Sequence, residues 1–363
     1  RMTVNIAPAD VKKEGAVYDL PVFVALMKAS GQIHGSTDGC AFFGELSLDG
    51  EIRPCTGVLP MVLCAREKGL HTVFVPAANR DEGSIVEGID VLPVAHVRQV
   101  LDHLQGKAPV EPCYRAFSPE EDKLEYLDFA DVKGQQNAKR ALEIAAAGGH
   151  NCLMIGPPGT GKSMLAKRLP SILPEMTFEE QIETTKIYSI AGALPSGTRL
   201  ISHRPFRSPH HTVSPQGLTG GGAVPKPGEI SLAHNGVLFM DEFPEFDRRT
   251  KESLRQPLED GVITISRAGG SLTYPSNIMV VAAMNPCPCG FLGHPTKDCT
   301  CSQAAVNRYR DKVSGPILDR IDLHVEVQSV DYAQLADTTR GEPSSAIRQR
   351  VNRARQMQAR RFA

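Results

Sequence analysis

The sequence predicts an α/β fold with a parallel sheet, preceded by a smaller α+β domain. Three apolar runs of strand length, at 152–155, 237–240 and 278–284, end directly before a glycine, an aspartate and an asparagine. Such runs are typical of buried parallel strands, whose carboxyl ends meet at one edge of a sheet. Before them, residues 1–108 consist of short apolar runs separated by Gly and Pro turns, which indicates a separate unit.

The loop after the first run fits the pattern G-x-x-x-x-G-K-[ST]. Glycines let backbone N–H groups surround a phosphate, the lysine can reach the β- and γ-phosphate oxygens, and the serine hydroxyl can ligate Mg²⁺. Residues 164–169 behind the loop are predicted to be helical. Strand, loop and helix together predict a site for ATP and Mg²⁺. The loop residues are Gly156, Pro157, Pro158, Gly159, Thr160, Gly161, Lys162 and Ser163.

Polar residues at the ends of later strands are expected to complete a hydrolytic site. Asp241 is placed to hold Mg²⁺, Glu242 to polarise the attacking water, and Asn285 to orient that water. Arg320, before the strand-like run 321–327, could reach the γ-phosphate in a neighbouring subunit. Taken singly, Asn285 is more often a strand-end cap and Arg320 a surface ion-pair partner. Their order behind the phosphate loop favours the catalytic interpretation.

Further motifs accompany the phosphate loop, at 134–136, 148–151, 204–212, 227–234 and 318–322. With the loop, they resemble the magnesium-chelatase-like AAA+ ATPases and, within that group, the ComM/YifB family of competence-associated proteins, over essentially the whole chain. The resemblance implies an ATP-hydrolysing homo-hexamer that moves on single-stranded and branched DNA. In that family, this motor is expected to drive branch migration when DNA recombines during natural transformation.

The first domain resembles the Lon-protease type, with matching landmarks at 13–15, 44–54 and 73–76. Proteolysis by that fold needs a serine nucleophile and a lysine base. The matching positions hold Val17 and Leu59, so we expect a proteolytically inactive domain that serves ring assembly or DNA handling. The expected order is this domain at 1–108, a linker at 109–125, the AAA+ core with its pore insertions at 126–333, and the truncated start of a helical lid at 334–363.

DNA contacts require a local patch, because the net charge of −1 excludes a globally basic nucleic-acid binder. Two tracts, 184–228 and 261–297, contain no Asp or Glu. The first is expected to be a loop-like insertion into the ring pore, and the second contains a predicted hairpin at 263–274. A solvated structural loop is the alternative for both. The candidate DNA-binding residues are Arg207, His210, His211, Lys226 and Arg267.

Four of the nine cysteines form two close pairs, Cys287 with Cys289 and Cys299 with Cys301. Four thiolates are a stable ligand set for structural Zn²⁺, although one residue between the members of a pair is fewer than usual. Unliganded thiols are the alternative. No signal peptide and no apolar stretch of membrane-spanning length are found, which predicts a cytoplasmic protein without a membrane partner, where disulfides are disfavoured.

A second function class stays open on the sequence. A protein-remodelling ATPase of the magnesium-chelatase motor-subunit type would act on a partner protein without DNA. The acid-free tract 184–228 favours DNA, and such a motor needs no Lon-type domain. An ATP-driven protease, a third class, needs a nucleophile that the first domain lacks.

Overall fold

A computed structural model of the chain describes residues 3–4, 15–113, 127–195, 197–222, 225–267, 270–330 and 340–362. Lys13 and Glu14, the predicted linker from 114 onward, and the first residues of the predicted lid, 334–339, lie outside these ranges. Contacts divide the chain into two units. Unit 1 comprises Arg1–Asp122, Gln181–Ile201 and Arg267–Gly270, and unit 2 comprises Lys123–Glu180, Ser202–Ser266 and Ser271–Ala363.

Unit 1 contains a three-stranded parallel sheet in the order β1-β4-β5 and a short antiparallel pair, β2 with β3. Its strands are β1 (Cys40–Phe42), β2 (Glu45–Leu46), β3 (Ile52–Arg53), β4 (Thr72–Pro76) and β5 (Asp90–Val94). Its helices are α1 (Asp19–Ala29), α2 (Val58–Glu67), α3 (Arg80–Gly83) and α4 (Val97–Leu104). In the central strand, β4, the apolar residues Val73, Phe74 and Val75 have no exposed surface.

In unit 1, apolar side chains occupy the two positions at which a Lon-type protease would carry its nucleophile and its base. Leu59 has no exposed surface and packs in the core beside Val62 and Val91. Val17 lies in a single 3₁₀ turn before α1. An apolar side chain can neither attack a carbonyl nor accept a proton, so these two positions cannot form a Ser–Lys pair.

Unit 2 is built on a five-stranded parallel sheet in the order β14-β6-β13-β10-β7, which confirms the predicted α/β class. The three predicted apolar strands are its centre, and every residue of β10 and β13 is buried. The strands of the unit are β6 (Cys152–Ile155), β7 (Phe206–Arg207), β8 (Gly220–Gly221), β9 (Lys226–Pro227), β10 (Val237–Met240), β11 (Val262–Arg267), β12 (Gly270–Pro275), β13 (Met279–Met284) and β14 (Leu323–Glu326).

Helices cover the large sheet and close its core. The longest is the one at the end of the described chain, and its Ile347 and Val351 join the core with Leu142. No helix in the described ranges has the length and apolar character needed to span a membrane. The helices of unit 2 are α5 (Gln136–Gly148), α6 (Lys162–Arg168), α8 (Pro215–Thr219), α9 (Glu229–Leu232), α10 (Arg248–Glu252), α11 (Arg255–Asp260), α12 (Gln303–Arg310), α13 (Gly315–Leu318) and α14 (Ser344–Phe362), whereas α7 (Phe178–Ala191) belongs to unit 1 from Gln181 onward.

The acid-free tract 184–228 is not the single loop-like insertion that its glycines and prolines predict. It begins inside α7, and its part from Thr184 to Ile201 belongs to unit 1. Farther on, the tract supplies β7, which pairs with β10 at the edge of the large sheet. The described residues 192–195, 197–205 and 208–214 form neither helix nor strand, as the composition predicts, and the ribbon of β8 and β9 follows them. The composition did not reveal the short elements, because Pro215 begins α8 and Pro227 ends β9.

Candidate nucleotide site

The phosphate loop joins β6 to α6 and takes the conformation that its glycines allow. Gly159 and Gly161 have φ angles of 80° and 89°, in the left-handed region that side chains with a Cβ rarely adopt. At Gly156 a Cβ would lie 2.1 Å from the carbonyl oxygen of Val327, so only glycine fits there. The loop therefore keeps its backbone amides at the start of α6, the arrangement that accommodates a phosphate.

Lys162 is buried inside this loop. Its Nζ donates hydrogen bonds to the carbonyl oxygens of Gly156 at 2.7 Å and Pro157 at 2.9 Å, and lies 3.3 Å from Oδ1 of Asn285. Burial lowers the pKa of Lys162, and the nearby carboxylate of Asp241 acts in the opposite direction. The ammonium group thus rests on backbone acceptors that an entering phosphate can replace.

Ser163 and Asp241 lie at the ends of adjacent elements and touch each other. The Ser163 hydroxyl donates to Oδ2 of Asp241 at 2.5 Å. Both side chains are oxygen ligands of the kind that Mg²⁺ prefers when it binds with nucleotide phosphates. The pair fits the predicted magnesium position, because a cation between them would replace one short hydrogen bond with two ligands.

Glu242 follows Asp241 in a strained backbone conformation and contacts a histidine. Its φ angle is 53°, one of the few positive values among non-glycine residues described. Oε2 of Glu242 lies 3.1 Å from Nδ1 of His211. The turn after β7 thus brings His211, a residue predicted to bind DNA, to the carboxylate predicted to polarise the attacking water. Its neighbour His210 is exposed, and the two imidazole rings lie tilted against each other with the centroids 4.1 Å apart.

A cavity of about 620 Å³ opens in front of these groups. The predicted residues Lys162, Asp241, Glu242 and Asn285 all line it, so the structure brings them together as expected. It is also lined by residues of α12 and the turn behind it that sequence analysis did not select: Ala305, Arg308, Tyr309 and Lys312. A feature of the sequence could have identified them: Ser302 is a residue type that caps helices, and basic residues follow it four positions apart at 308 and 312. This pattern predicts a helix with one cationic face.

Arg320 is held within its own chain. It forms an ion pair with Glu259, and its Nη1 donates to the carbonyl oxygen of Pro316 at 2.5 Å. Its Nε is buried and has no hydrogen-bond partner among the described residues. Arg320 lies outside the lining of the cavity in front of Lys162, consistent with a residue that does not serve the nucleotide site of its own chain.

The other three residues predicted to bind DNA differ in their surroundings. Arg207 makes a bidentate ion pair with Glu229, at 2.7 Å for each of two nitrogen–oxygen contacts. Its charge is therefore paired within the fold. Lys226 on β9 is exposed. The backbone of Arg267 ends β11, whereas its side chain lies outside the described part of the structure.

The predicted hairpin is present and adjoins the β8–β9 ribbon. Strands β11 and β12 pair as a two-stranded sheet, with the Thr264 and Thr273 hydroxyls 3.1 Å apart. The Tyr274 hydroxyl donates to the carbonyl oxygen of Pro225 at 2.8 Å, and Gly220 packs closely on Ile265. Residues from both acid-free tracts are thus joined on unit 2.

The four cysteines form one cluster after β13. The sulfur atoms of Cys287, Cys289, Cys299 and Cys301 all lie within 4.8 Å of one another. Three of the separations are 3.4, 3.6 and 3.7 Å. Zn–S bonds of about 2.3 Å in a tetrahedron place sulfurs about 3.8 Å apart, so the cluster fits such an ion.

The pKa values of the cluster thiols shift in different directions. The backbone N–H of Phe291 lowers the pKa of the Cys289 thiol well below its usual range, against the effect of desolvation. Against hydrogen bonds from backbone N–H groups of the loop, burial and the neighbouring thiols raise the pKa of Cys299 and Cys301. The sulfur geometry, rather than protonation, is therefore what fits a metal ion, and the cluster begins two residues beyond Asn285, which lines the cavity.

Two family models match the sequence. The one described as magnesium chelatase, subunit ChlI, matches residues 128–335, and the one described as subunit ChlI of Mg-chelatase matches residues 1–79. The first match includes the phosphate loop, the carboxylate pair and the cysteine cluster, which are the features described above.

Relatives match over nearly the whole chain. It is 44% identical to the uncharacterized protein YifB of Escherichia coli, across 99% of the chain and 71% of the relative. It is 43% identical to the competence protein ComM of Haemophilus influenzae, with the same coverage of 99% and 71%. A more distant relative is the magnesium-chelatase 67 kDa subunit of Chlorobaculum parvum, at 28% identity across 44% of the chain and 23% of that protein. The chain therefore belongs to the ComM/YifB family of magnesium-chelatase-like AAA+ ATPases.

Proposed function

We propose that this chain hydrolyses ATP as a homo-hexamer and uses the reaction to move on, or remodel, single-stranded and branched DNA. The observation that carries the ATPase part is the convergence of Lys162, Asp241, Glu242 and Asn285 on one cavity. They come from the phosphate loop and the ends of β10 and β13, and their chemistry matches the parts that phosphoryl transfer needs. The name of the competence protein among the relatives favours a role in natural transformation, and branch migration is what the family resemblance implies for that role.

The residues divide the work of hydrolysis. Bound Mg²⁺ supplies charge neutralisation between the phosphates. Ser163 and Asp241, now joined by a hydrogen bond, are the residues that would hold it, and Lys162 would donate to phosphate oxygens in place of the carbonyls of Gly156 and Pro157. Glu242 accepts the proton of the attacking water, which Asn285 orients from the neighbouring strand. A second cavity of about 560 Å³, beside Gln135 and Gly341, gives room for the rest of the nucleotide.

DNA binding is proposed for the joined ribbon and hairpin of unit 2. Lys226 is exposed on the ribbon, and the outer residues of the hairpin, such as Thr264 and Ser271, are exposed too. The absence of Asp and Glu from 184–228 and 261–297 allows phosphates to approach without repulsion. His210, exposed at the turn after β7, is kept in this proposal, and Arg267 stays a candidate from its position at the end of β11.

The four cysteines are proposed to hold one structural Zn²⁺. The sulfur separations carry this assignment, because three of them lie within a few tenths of an ångström of the tetrahedral value and all four sulfurs lie within 4.8 Å of one another. Unliganded thiols would have no reason to assemble at such distances from two ends of a long loop.

A protein-remodelling motor of the magnesium-chelatase type is the second candidate, supported by the match of residues 128–335 to that family. One experiment separates the two. We expect ATP hydrolysis by the purified chain to rise when forked DNA is added, with no partner protein present. Hydrolysis that ignores forked and single-stranded DNA would favour the protein-remodelling motor. No hydrolysis by an assembled, magnesium-supplied protein would refute both.

A further inference from the structure

The segment that carries the four cysteines is also a wall of the nucleotide cavity. Residues 285–302 connect β13 to α12 and form neither helix nor strand. A loop of this length without secondary structure is uncommon inside a compact unit and usually has a function of its own. Cys287 lies near its start, and Cys301 directly precedes Ser302, whose hydroxyl caps α12. The cluster therefore connects the end of β13 to the start of α12.

The loop touches the phosphate loop at a point where no side chain fits. Gly290 follows Cys289 and has a φ angle of 84°. A Cβ at this position would lie 2.7 Å from Cδ of Pro158, in the phosphate loop. Pro288, between two of the cysteines, lines the cavity with Lys162 and Asp241. Two residues beside the sulfur atoms therefore face the nucleotide machinery directly.

The helix at the other end of the loop completes the wall. Arg308, Tyr309 and Lys312 line the same cavity. Burial raises the pKa of the Tyr309 hydroxyl to about 12, and the backbone N–H of Asn285 acts on it in the opposite direction. Lys312 reaches Glu245 with Nζ 2.9 Å from Oε2. The conformation of the loop 285–302 therefore determines where Asn285 lies relative to α12.

We propose that a Zn²⁺ ion held by the four cysteines closes this wall, so that metal occupancy controls nucleotide binding and turnover. The inference rests on the proposed ATPase function. Binding energy at a structural metal site orders the segments that carry the ligands. Here those segments hold Asn285 at one end and the cationic face of α12 at the other. Without the ion, the loop keeps a backbone hydrogen bond from Gly290 N–H to the Cys287 carbonyl and a hydrogen bond between the His294 ring and the Ser329 hydroxyl, neither of which joins the two cysteine pairs.

The test compares the whole chain with and without its metal. Zinc is measured by elemental analysis, the fold by circular dichroism, and nucleotide affinity with a fluorescent ADP analogue. We expect about one zinc per chain, as one Cys₄ set holds one ion. Chelation under reducing conditions is expected to weaken ADP affinity several-fold and to lower turnover by about a hundredfold, the cost of a misplacement of about 1 Å. Added Zn²⁺ is expected to restore both values.

Two variants and one control sharpen the test. Cys289→Ser/Cys299→Ser is expected to lose zinc and nucleotide affinity together, without rescue by added Zn²⁺. Gly290→Ala keeps every ligand but pushes the loop away from Pro158, so it is expected to retain zinc and still weaken ADP affinity. Cys64→Ser is the control, because this exposed thiol on α2 lies outside the cluster.

Opposite outcomes overturn the inference. A zinc-free, folded protein with unchanged ADP affinity would contradict the proposal. A wild-type protein that never contains zinc would contradict it too. If removing the metal unfolds the chain, Gly290→Ala decides, and unchanged affinity in that variant counts against the proposal. Failure of the proposed ATPase function is distinct, because the zinc-loaded wild-type protein would then bind no nucleotide at all.

Discussion

Nδ1 of His211 lies 3.1 Å from Oε2 of Glu242, the carboxylate proposed to accept the proton of the attacking water. His211 does not line the cavity that Glu242 faces, so it reaches the carboxylate from outside the nucleotide site. The contact occupies one acceptor oxygen of the base. His211 follows β7 and lies against the exposed His210 ring, so we expect a ligand that binds at this turn to alter the contact with the base.

Removing His211 should raise ATP turnover in the absence of DNA. In His211→Ala the carboxylate of Glu242 loses a competitor for the attacking water, and we expect basal hydrolysis to rise several-fold while stimulation by DNA shrinks. His210→Ala is the matched comparison, because it removes the exposed ring but leaves the contact with Glu242. Equal basal rates in wild type and His211→Ala would show that the contact is only structural.

Lys162→Ala and Glu242→Gln should fail at different stages. The ammonium of Lys162 contacts phosphate in the ground state, whereas Glu242 acts mainly in the transition state. We expect Lys162→Ala to lose nucleotide binding, and Glu242→Gln to bind ATP without hydrolysing it. Equilibrium binding and single-turnover hydrolysis measure the two stages separately. Normal hydrolysis by Glu242→Gln would falsify its assignment as the base.

Arg320 should act on a neighbouring subunit. Fingers of this kind contribute about 10³–10⁵ in rate, so Arg320→Ala is expected to lose turnover as a pure protein. Mixed with Glu242→Gln, it should recover activity, because each variant supplies the half-site that the other lacks. Glu259→Gln is a useful companion: it frees Arg320 from its ion pair and should retain turnover. No recovery in mixtures shown to have exchanged subunits would make Arg320 a structural residue.

Lys226 and Arg207 should behave differently in DNA binding. Lys226→Ala is expected to weaken affinity uniformly across sequences and to make the slope of log affinity against log salt shallower by about one. Arg207→Ala leaves Glu229 without its bidentate partner and is expected to cost about 1–3 kcal/mol of stability, with an unchanged salt slope. Salt titrations and thermal melts separate the outcomes. A salt slope that changes in Arg207→Ala alone would reverse these assignments.

Arg308 should contribute to turnover within its own chain. It is exposed on α12 and lines the cavity with Lys162 and Asn285, so its guanidinium can approach a nucleotide phosphate. We expect Arg308→Ala to lower turnover at least tenfold, an effect of about 1.4 kcal/mol or more on the barrier, and mixing with Glu242→Gln should not rescue it. Arg310→Ala, on the same helix but outside this cavity, is the control. Full activity of Arg308→Ala would exclude the role.

The sequence predicted the strand ends well and the surface contacts poorly. Asp241 and Asn285 could be assigned because each directly follows an apolar run, and parallel strands bring such positions to one edge. Arg308 was missed because no strand ends beside it; it reaches the cavity only through the packing of α12. The partners of Arg207 and His211 were also hidden, since Glu229 and Glu242 lie on other elements, and a count of acids along one tract cannot detect a carboxylate from elsewhere.

The order of the large sheet has a consequence for how this chain folds during synthesis. Strand β6 leads into the phosphate loop, yet its two neighbours are β13 and β14, both of which are made much later. Until Leu323 has paired with Cys152, β6 is paired with β13 alone and has no neighbouring strand on its other side. Contacts between distant parts of a chain form slowly because loop closure comes first. A nascent chain that ends before β14 should therefore gain nothing from ATP, and nucleotide can protect only the finished unit.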